Sequence, residues 1–235
     1  MKVINAASLF IGSRTIRPHN QRKYVGKSMS FSKYISAQLR KPTGLFGRYV
    51  MTHLLNRINL SLNHLALEVL RLSPDDHVLE IGFGGGSLLA EMSRITIRGK
   101  ITGVDFSRDI LDAGLKRFKT LAGNGAMELS CADVMELPFE AGIFSKVCTV
   151  NTIYFWSDPQ RAFSQIHRVL KDEGTVVVCF SPKVSMQDRS HKLHNFILYD
   201  PGDVVSLLTA AGFRNVHYIS RGRRSRECVA VIGTR

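Results

Sequence analysis

The chain has 235 residues, 44% of them hydrophobic, which is enough for one α/β domain with a sizeable core. No apolar run approaches the roughly 18–20 residues that a membrane-spanning helix needs. The formal charge of +13 is uneven: residues 1–67 carry eleven Lys and Arg and no Asp or Glu, while the remainder carries 21 basic and 19 acidic groups and is nearly neutral.

Residues 1–28 are basic, with interspersed Ser and Thr, and Pro18, Asn20 and Gly26 break any long helix. Three readings fit this extension. It is a mitochondrial-type targeting peptide, a basic arm in weak contact with nucleic acid or an anionic membrane, or a translated stretch upstream of a start at Met29. The first places the protein in the mitochondrial matrix; otherwise a cytoplasmic location is expected. In each case residues 29–235 form the domain, and 1–28 are expected to be dispensable for its folding.

Residues 29–43 carry an amphipathic pattern (Phe31, Tyr34, Ile35, Leu39) that ends before Pro42. A longer helical pattern runs from about Arg48 to Leu72, with Leu54, Leu55, Ile58, Leu62, Leu65 and Val69 on recurring faces. Ser73-Pro74-Asp75-Asp76 stops it. Val78–Ile81 then reads as a short buried strand, followed by glycines at 82, 84 and 86 and a helix over about Ser87–Thr96. Strand, glycine turn and helix open a nucleotide-binding α/β unit. Glycine permits positive φ and close approach of a ligand, and the new helix offers its free N–H groups. A dinucleotide fingerprint, G-x-G-x-x-G, requires glycine at 87, where Ser87 stands. The pattern is instead E-x-G-x-G-x-G, beginning at Glu80.

The second strand, Ile101–Asp105, ends in an acid at about the distance from Gly82 expected of a carboxylate that accepts two hydrogen bonds from a vicinal diol. The alternative role for Asp105 is an N-cap on the helix expected over Ile110–Leu121. A third strand covers Met127–Cys131 and leads into Ala132-Asp133-Val134. A fourth covers Phe144–Val150 and runs directly into Asn151-Thr152-Ile153-Tyr154-Phe155-Trp156. Ligands of open α/β sheets sit beyond the carboxyl ends of strands, so this polar–aromatic cluster is placed to face a cofactor and a substrate. Asp158-Pro159 starts a helix to Leu170, and Lys171–Gly174 is expected to end it. Thr175–Phe180 is the fifth strand. Ser181–Tyr199 reads as an irregular insert whose His191 and His194 are solvated loop residues rather than a metal pair. Asp200-Pro201 starts a last helix to Ala211. Asn215–Ile219 and Cys228–Ile232 are closing strands, joined by a charged hairpin tip at Arg221–Arg226. Cys131, Cys148, Cys179 and Cys228 form no C-x-x-C pair and read as small buried residues, with no metal site expected.

Four stretches, 78–87, 101–106, 131–139 and 150–159, together resemble the class I S-adenosylmethionine-dependent methyltransferases of the small-molecule type, over residues 29–235. The resemblance implies a Rossmann-like seven-stranded sheet in the order 3-2-1-4-5-7-6, with strand 7 antiparallel and N-terminal helices over the cofactor site. It implies that Glu80, Gly82, Gly84 and Gly86 surround the methionine part of S-adenosylmethionine. Asp105 would hold the ribose, Phe106 would flank the adenine, Asp133 and Val134 would hold its edge, and Asn151 would lie near the sulfonium.

Tyr154 and Trp156 are the candidate catalytic residues bordering the acceptor. The tyrosine would orient the acceptor through its hydroxyl, or take a proton if its pKa is lowered; an aromatic wall would stabilise the positive methyl–sulfonium group. No Ser-His-Asp set or carboxylate pair converges there, so alignment rather than strong acid–base catalysis is expected. The tetrapeptide Asn151-Thr152-Ile153-Tyr154 keeps only the outer residues of the Asn/Asp-Pro-Pro-Tyr/Phe motif of nucleic-acid amino-methylating enzymes. The expected activity is methyl transfer to a small-molecule or lipid-like acceptor. The alternatives are an enzyme acting on RNA or protein, or a non-catalytic binding module of the same fold. The acceptor atom and the oligomeric state stay open.

Overall fold

The computed structural model describes residues 52–186, 196–223 and 226–235, with side chains from Asn59 onward. The basic extension, the amphipathic pattern at 29–43, and His191 and His194 lie outside these residues.

Strand β1 (His77–Ile81) is buried along four of its five residues because it has parallel partners on both sides, β2 (Lys100–Asp105) and β4 (Phe144–Val150). Its side chains alternate: Leu79 and Ile81 enter one core, Val78 the other. With β3 (Met127–Cys131), β5 (Leu170–Phe180), β6 (Arg214–Arg221) and β7 (Cys228–Thr234) it builds a seven-stranded sheet in the order β3-β2-β1-β4-β5-β7-β6. The first five strands run parallel, and β7 runs antiparallel to both β5 and β6. Parallel neighbours need crossover connections, whereas β6 and β7 are joined by a hairpin. The order and direction agree with the expected fold.

One face of the sheet is covered by α1 (Thr52–Leu70), α2 (Ser87–Ile95) and α3 (Arg108–Arg117). Leu62, Leu65, Ala66 and Leu70 of α1 and Leu88, Leu89 and Met92 of α2 recur at helical spacing and are buried there. The other face is covered by α5 (Pro159–Val169) and α7 (Pro201–Ala210), the first through Ala162, Phe163, Ile166 and Val169. Burying each large apolar side chain in this way contributes about 1.5–3 kcal/mol. Asp158 caps α5 by accepting from the Arg161 N–H at 3.0 Å, and Asp200 and Asp203 form a reciprocal capping box on α7.

Two elements differ from expectation. Residues 171–174 do not form a helix-ending loop; β5 begins at Leu170, which pairs with Phe144, and the next pair is Lys146 with Thr175. The extra residues form a bulge, with Glu173 at φ 61° and Gly174 so close to the Lys171 carbonyl that a Cβ would stand 2.7 Å from it. The helix expected over Ile110–Leu121 is two helices, α3 and the short α4 (Lys119–Gly123), broken at Phe118. The Phe118 ring is buried behind the glycine turn, and that packing outweighs helical continuity.

Candidate functional site

The sheet order reverses between β1 and β4, which opens a crevice at the carboxyl ends of the strands. A cavity of about 420 Å³ fills it, with α1 contributing Asn59 and Asn63 to its wall.

Its floor is the glycine turn. Gly82, Gly84 and Gly86 have φ of 74°, 50° and 69°, the left-handed region that L side chains rarely adopt. The Gly82 N–H donates to the Val104 carbonyl at 2.7 Å, and the Gly84 N–H donates to Asp105 Oδ2 at 3.0 Å. Gly82 and Gly84 line the cavity. Gly86 does not, contrary to expectation: a Cβ there would meet the Phe118 ring at 2.7 Å, so its side of the turn faces the core. Gly85 and Ser87 line the cavity in its place.

Asp105 closes β2 and holds two loops at once. Its Oδ2 accepts from Gly84 and its Oδ1 from the Ser107 N–H at 2.9 Å. Ser107, not Asp105, occupies the N-cap of α3. Each carboxylate oxygen keeps a second lone pair, so capacity for a vicinal diol remains. Burial pushes this carboxyl above the usual range, and the two amides offset that only in part. Phe106 follows, half exposed at the cavity wall. Asp133 and Val134 also line the cavity; Asp133 Oδ1 accepts from the Met135 N–H at 2.9 Å, so it shapes its own turn as well.

Glu80 lies deeper, only 3% exposed, and its Oε2 has no hydrogen-bond partner among the described residues. Burial first, then the neighbouring Asp105, push its carboxyl well above the usual range, against the pull of the Leu89 N–H on α2.

Asn151 turns the chain at the end of β4 with φ 57°. Its Nδ2 donates to Asn59 Oδ1 at 2.7 Å, and its Oδ1 lies 3.1 Å from the Tyr154 hydroxyl. Thr152 fits its methyl into the space beside Gly82, and Thr149 ties the loop down by bonding both the Thr152 hydroxyl and, at 3.0 Å, the Ile81 carbonyl.

Tyr154 lines the cavity but is 2% exposed. Its hydroxyl accepts from the Ser181 N–H at 2.7 Å and lies 2.9 Å from the Ser181 carbonyl. Burial pushes its pKa up, the opposite of what a proton acceptor needs. The tyrosine is a strut between the ends of β4 and β5. Trp156 lines the cavity and also packs edge-to-face on Phe163 at 5.2 Å, so it belongs to wall and core together. Replacing Tyr154 by Phe should lower turnover by less than the roughly 10²–10⁴ of a general base. It should leave cofactor affinity intact and cost about 1–3 kcal/mol of stability, because the Ser181 amide loses its acceptor. Steady-state kinetics, calorimetry and denaturant melts check these together; abolished turnover with normal stability would make the hydroxyl catalytic.

Several cavity residues were invisible to local patterns. Phe196 stacks on Tyr154 at 5.7 Å and meets Phe155 edge-on at 4.7 Å, and Ser181 and Met186, the latter on the short α6 (Lys183–Met186), also line the cavity. Asn59 and Asn63 are one turn apart on α1, and Asn63 donates to the Ser87 hydroxyl at 2.9 Å. The available signal was a pair of asparagines beside a buried apolar stripe. A buried amide requires a partner.

Residues 79–178 match a family model described as a methyltransferase domain. A methyltransferase of Bacillus subtilis, YdaC, is 27% identical over 125 residues, covering 53% of this chain and 67% of that protein. A ubiquinone/menaquinone biosynthesis C-methyltransferase, UbiE, of Citrifermentans bemidjiense is 29% identical over 132 residues, covering 53% of this chain and 56% of that protein. The solved structure of an S-adenosylmethionine-dependent methyltransferase from Aquifex aeolicus superposes with a TM-score of 0.63 at 20% identity, over 75% of this chain and 92% of that one.

Proposed function

We infer that this chain is a class I S-adenosylmethionine-dependent methyltransferase whose acceptor is a small, largely apolar molecule without negative charge. The observation that carries this reading is one cavity lined by two unlike sets of residues. The glycine turn, Asp105, Phe106 and Asp133 make one set; the ring cluster of Tyr154, Phe155 and Phe196, with Trp156 and Met186, makes the other. Among the described residues lining it there are three carboxylic acids and no Lys, Arg or His. Aromatic and thioether walls favour an apolar body, and no cation among the described lining residues is there to hold an anionic group.

The residues fit the cofactor. The turn lacks side chains where a ligand backs onto it, Asp105 has lone pairs to spare for a ribose diol, and Phe106 offers a half-exposed ring to a planar base. Bound S-adenosylmethionine supplies an already activated methyl group on a sulfonium, which a nucleophile displaces in line. The chain's own task is then to align the acceptor and exclude water. The Asn59–Asn151–Tyr154–Ser181 hydrogen-bond chain fixes α1 against the ends of β4 and β5, and the aromatic groups exclude water around the acceptor. A relative named for ubiquinone and menaquinone biosynthesis supports an apolar ring-bearing acceptor.

The test is transfer of labelled methyl from S-adenosylmethionine into a panel of neutral quinols, phenols and sterols, with anionic isosteres, RNA and protein as comparison acceptors. Label in the neutral small molecules is the expected result. Label confined to RNA, protein or the anionic isosteres overturns the reading.

A further inference from the structure

The hairpin between β6 and β7 reaches past the carboxyl edge of the sheet. Phe180, the last residue of β5, pairs with Val229, so residues 222–227 lie beyond the end of β5, at the same edge as the cavity. That tip is basic: residues 221–227 carry four Arg and one acid, Glu227. Arg221 is held by Glu68 of α1 at 2.8 Å. The exposed Arg223 and Arg226 form no ion pair among the described residues. A second hollow, of about 320 Å³, separates the hairpin from α1, with Arg226 and His64 in its lining.

Apolar residues gather at that edge too. Leu60, Val184 and Ile197 are 54%, 52% and 49% exposed. Their chain neighbours Asn59, Ser185 and Phe196 line the cavity, so the three stand at its rim. The Lys183 N–H donates to the Tyr199 carbonyl at 2.8 Å, which lays residues 196–199 beside α6, and Lys183 itself is exposed next to Val184. Single exposed aliphatic residues are ordinary, but apolar residues grouped around one opening, with cations alongside, mark an interface.

We propose that this edge docks on an anionic lipid bilayer. The hairpin arginines and Lys183 meet the headgroup phosphates, and Leu60, Val184 and Ile197 enter the interface around the cavity mouth. Charge complementarity favours this occupant: residues 1–67, the stretch that leads into α1, carry eleven basic and no acidic groups. Aliphatic side chains gain from the acyl boundary, whereas nucleic acid is held by cations together with aromatic stacking. The docked face would admit an apolar acceptor directly from the bilayer, and that purpose rests on the acceptor reading above. Vesicle binding tests the face apart from that reading, because no acceptor takes part.

Co-sedimentation of the full chain with vesicles is the experiment. Binding should be strong to mixed phosphatidylglycerol–phosphatidylcholine vesicles, weak to phosphatidylcholine alone, and should fall as salt rises. Arg223→Glu with Arg226→Glu should weaken it by at least about tenfold, since each basic residue at an anionic surface is worth roughly fivefold. Val184→Ser with Ile197→Ser should weaken it several-fold, and that loss should persist at high salt, because apolar burial is not screened. None of the four residues lines the cavity, so cofactor affinity in both pairs should equal that of the wild type. Anionic-vesicle binding unchanged by the arginine pair places the attraction elsewhere on the chain and overturns the proposal. Binding unchanged by the aliphatic pair overturns it as well; a lowered melting temperature there would mark residues that the chain itself covers. RNA binding that is lost in the arginine pair, with no vesicle binding, assigns the face to nucleic acid instead. Vesicle binding as expected, with no methyl transfer to the neutral acceptors, would keep the face and overturn only the acceptor reading.

Discussion

Gly84→Val should abolish S-adenosylmethionine binding while the domain stays folded, whereas Gly82→Ala should damage binding and fold together. Both glycines are in the left-handed region, which costs an L residue about 1–2 kcal/mol. They differ in what surrounds them. A Cβ on Gly84 meets nothing nearer than the Gly82 carbonyl at 4.0 Å, so the added side chain occupies open space at the cavity floor. A Cβ on Gly82 falls 2.3 Å from Thr152 Cγ2. Overpacking of that kind adds about 1–3 kcal/mol, so Gly82→Ala should destabilise by roughly 2–5 kcal/mol, a large part of the 5–15 typical of a domain. Thr152→Ala in the same chain should recover the steric part and leave the backbone part. Calorimetry on Gly84→Val should read an affinity loss of at least about a hundredfold, near 3 kcal/mol. Wild-type affinity in Gly84→Val, or additive effects of Gly82→Ala and Thr152→Ala, would sink the assignment of this turn.

Asp105→Ala should lower cofactor affinity by about 10²–10⁴, from two hydrogen bonds to a charged acceptor at about 1.5–3 kcal/mol each. The position of the side chain at the end of a strand suggests a fold untouched by this change. The structure indicates otherwise, because the carboxylate anchors the Gly84 and Ser107 amides. A lower melting temperature and faster amide exchange at residues 82–86 and 106–108 should accompany the loss. Asp105→Asn should rescue little: its amide nitrogen would face a backbone N–H, donor against donor. Unchanged affinity with a lowered melting temperature would leave Asp105 a purely structural clamp.

The strands, the helices and the chemistry of the turns were legible because they are local. Alternating burial, helical spacing, and Asp-Pro at the start of α5 and α7 act over a few residues. The glycine spacing marks the turn for the same reason: each glycine is needed by its own φ. Which glycine faces a ligand is not local. Gly86 looks like its neighbours along the chain, and only the Phe118 ring, brought in by the break between α3 and α4, turns it to the core.

What the sequence determined by itself was therefore the series of elements and the residues able to do chemistry at the strand ends. The tertiary structure alone decided which of those groups are already engaged. Tyr154 is committed to Ser181, Asn151 to an asparagine on α1, and Asp105 to two backbone amides, while Glu80 keeps an oxygen with no partner among the described residues. The reason is physical: residue type and spacing set what a side chain can donate or accept, but its partners and its burial depend on sheet order, register and the stacking of elements far apart in the chain.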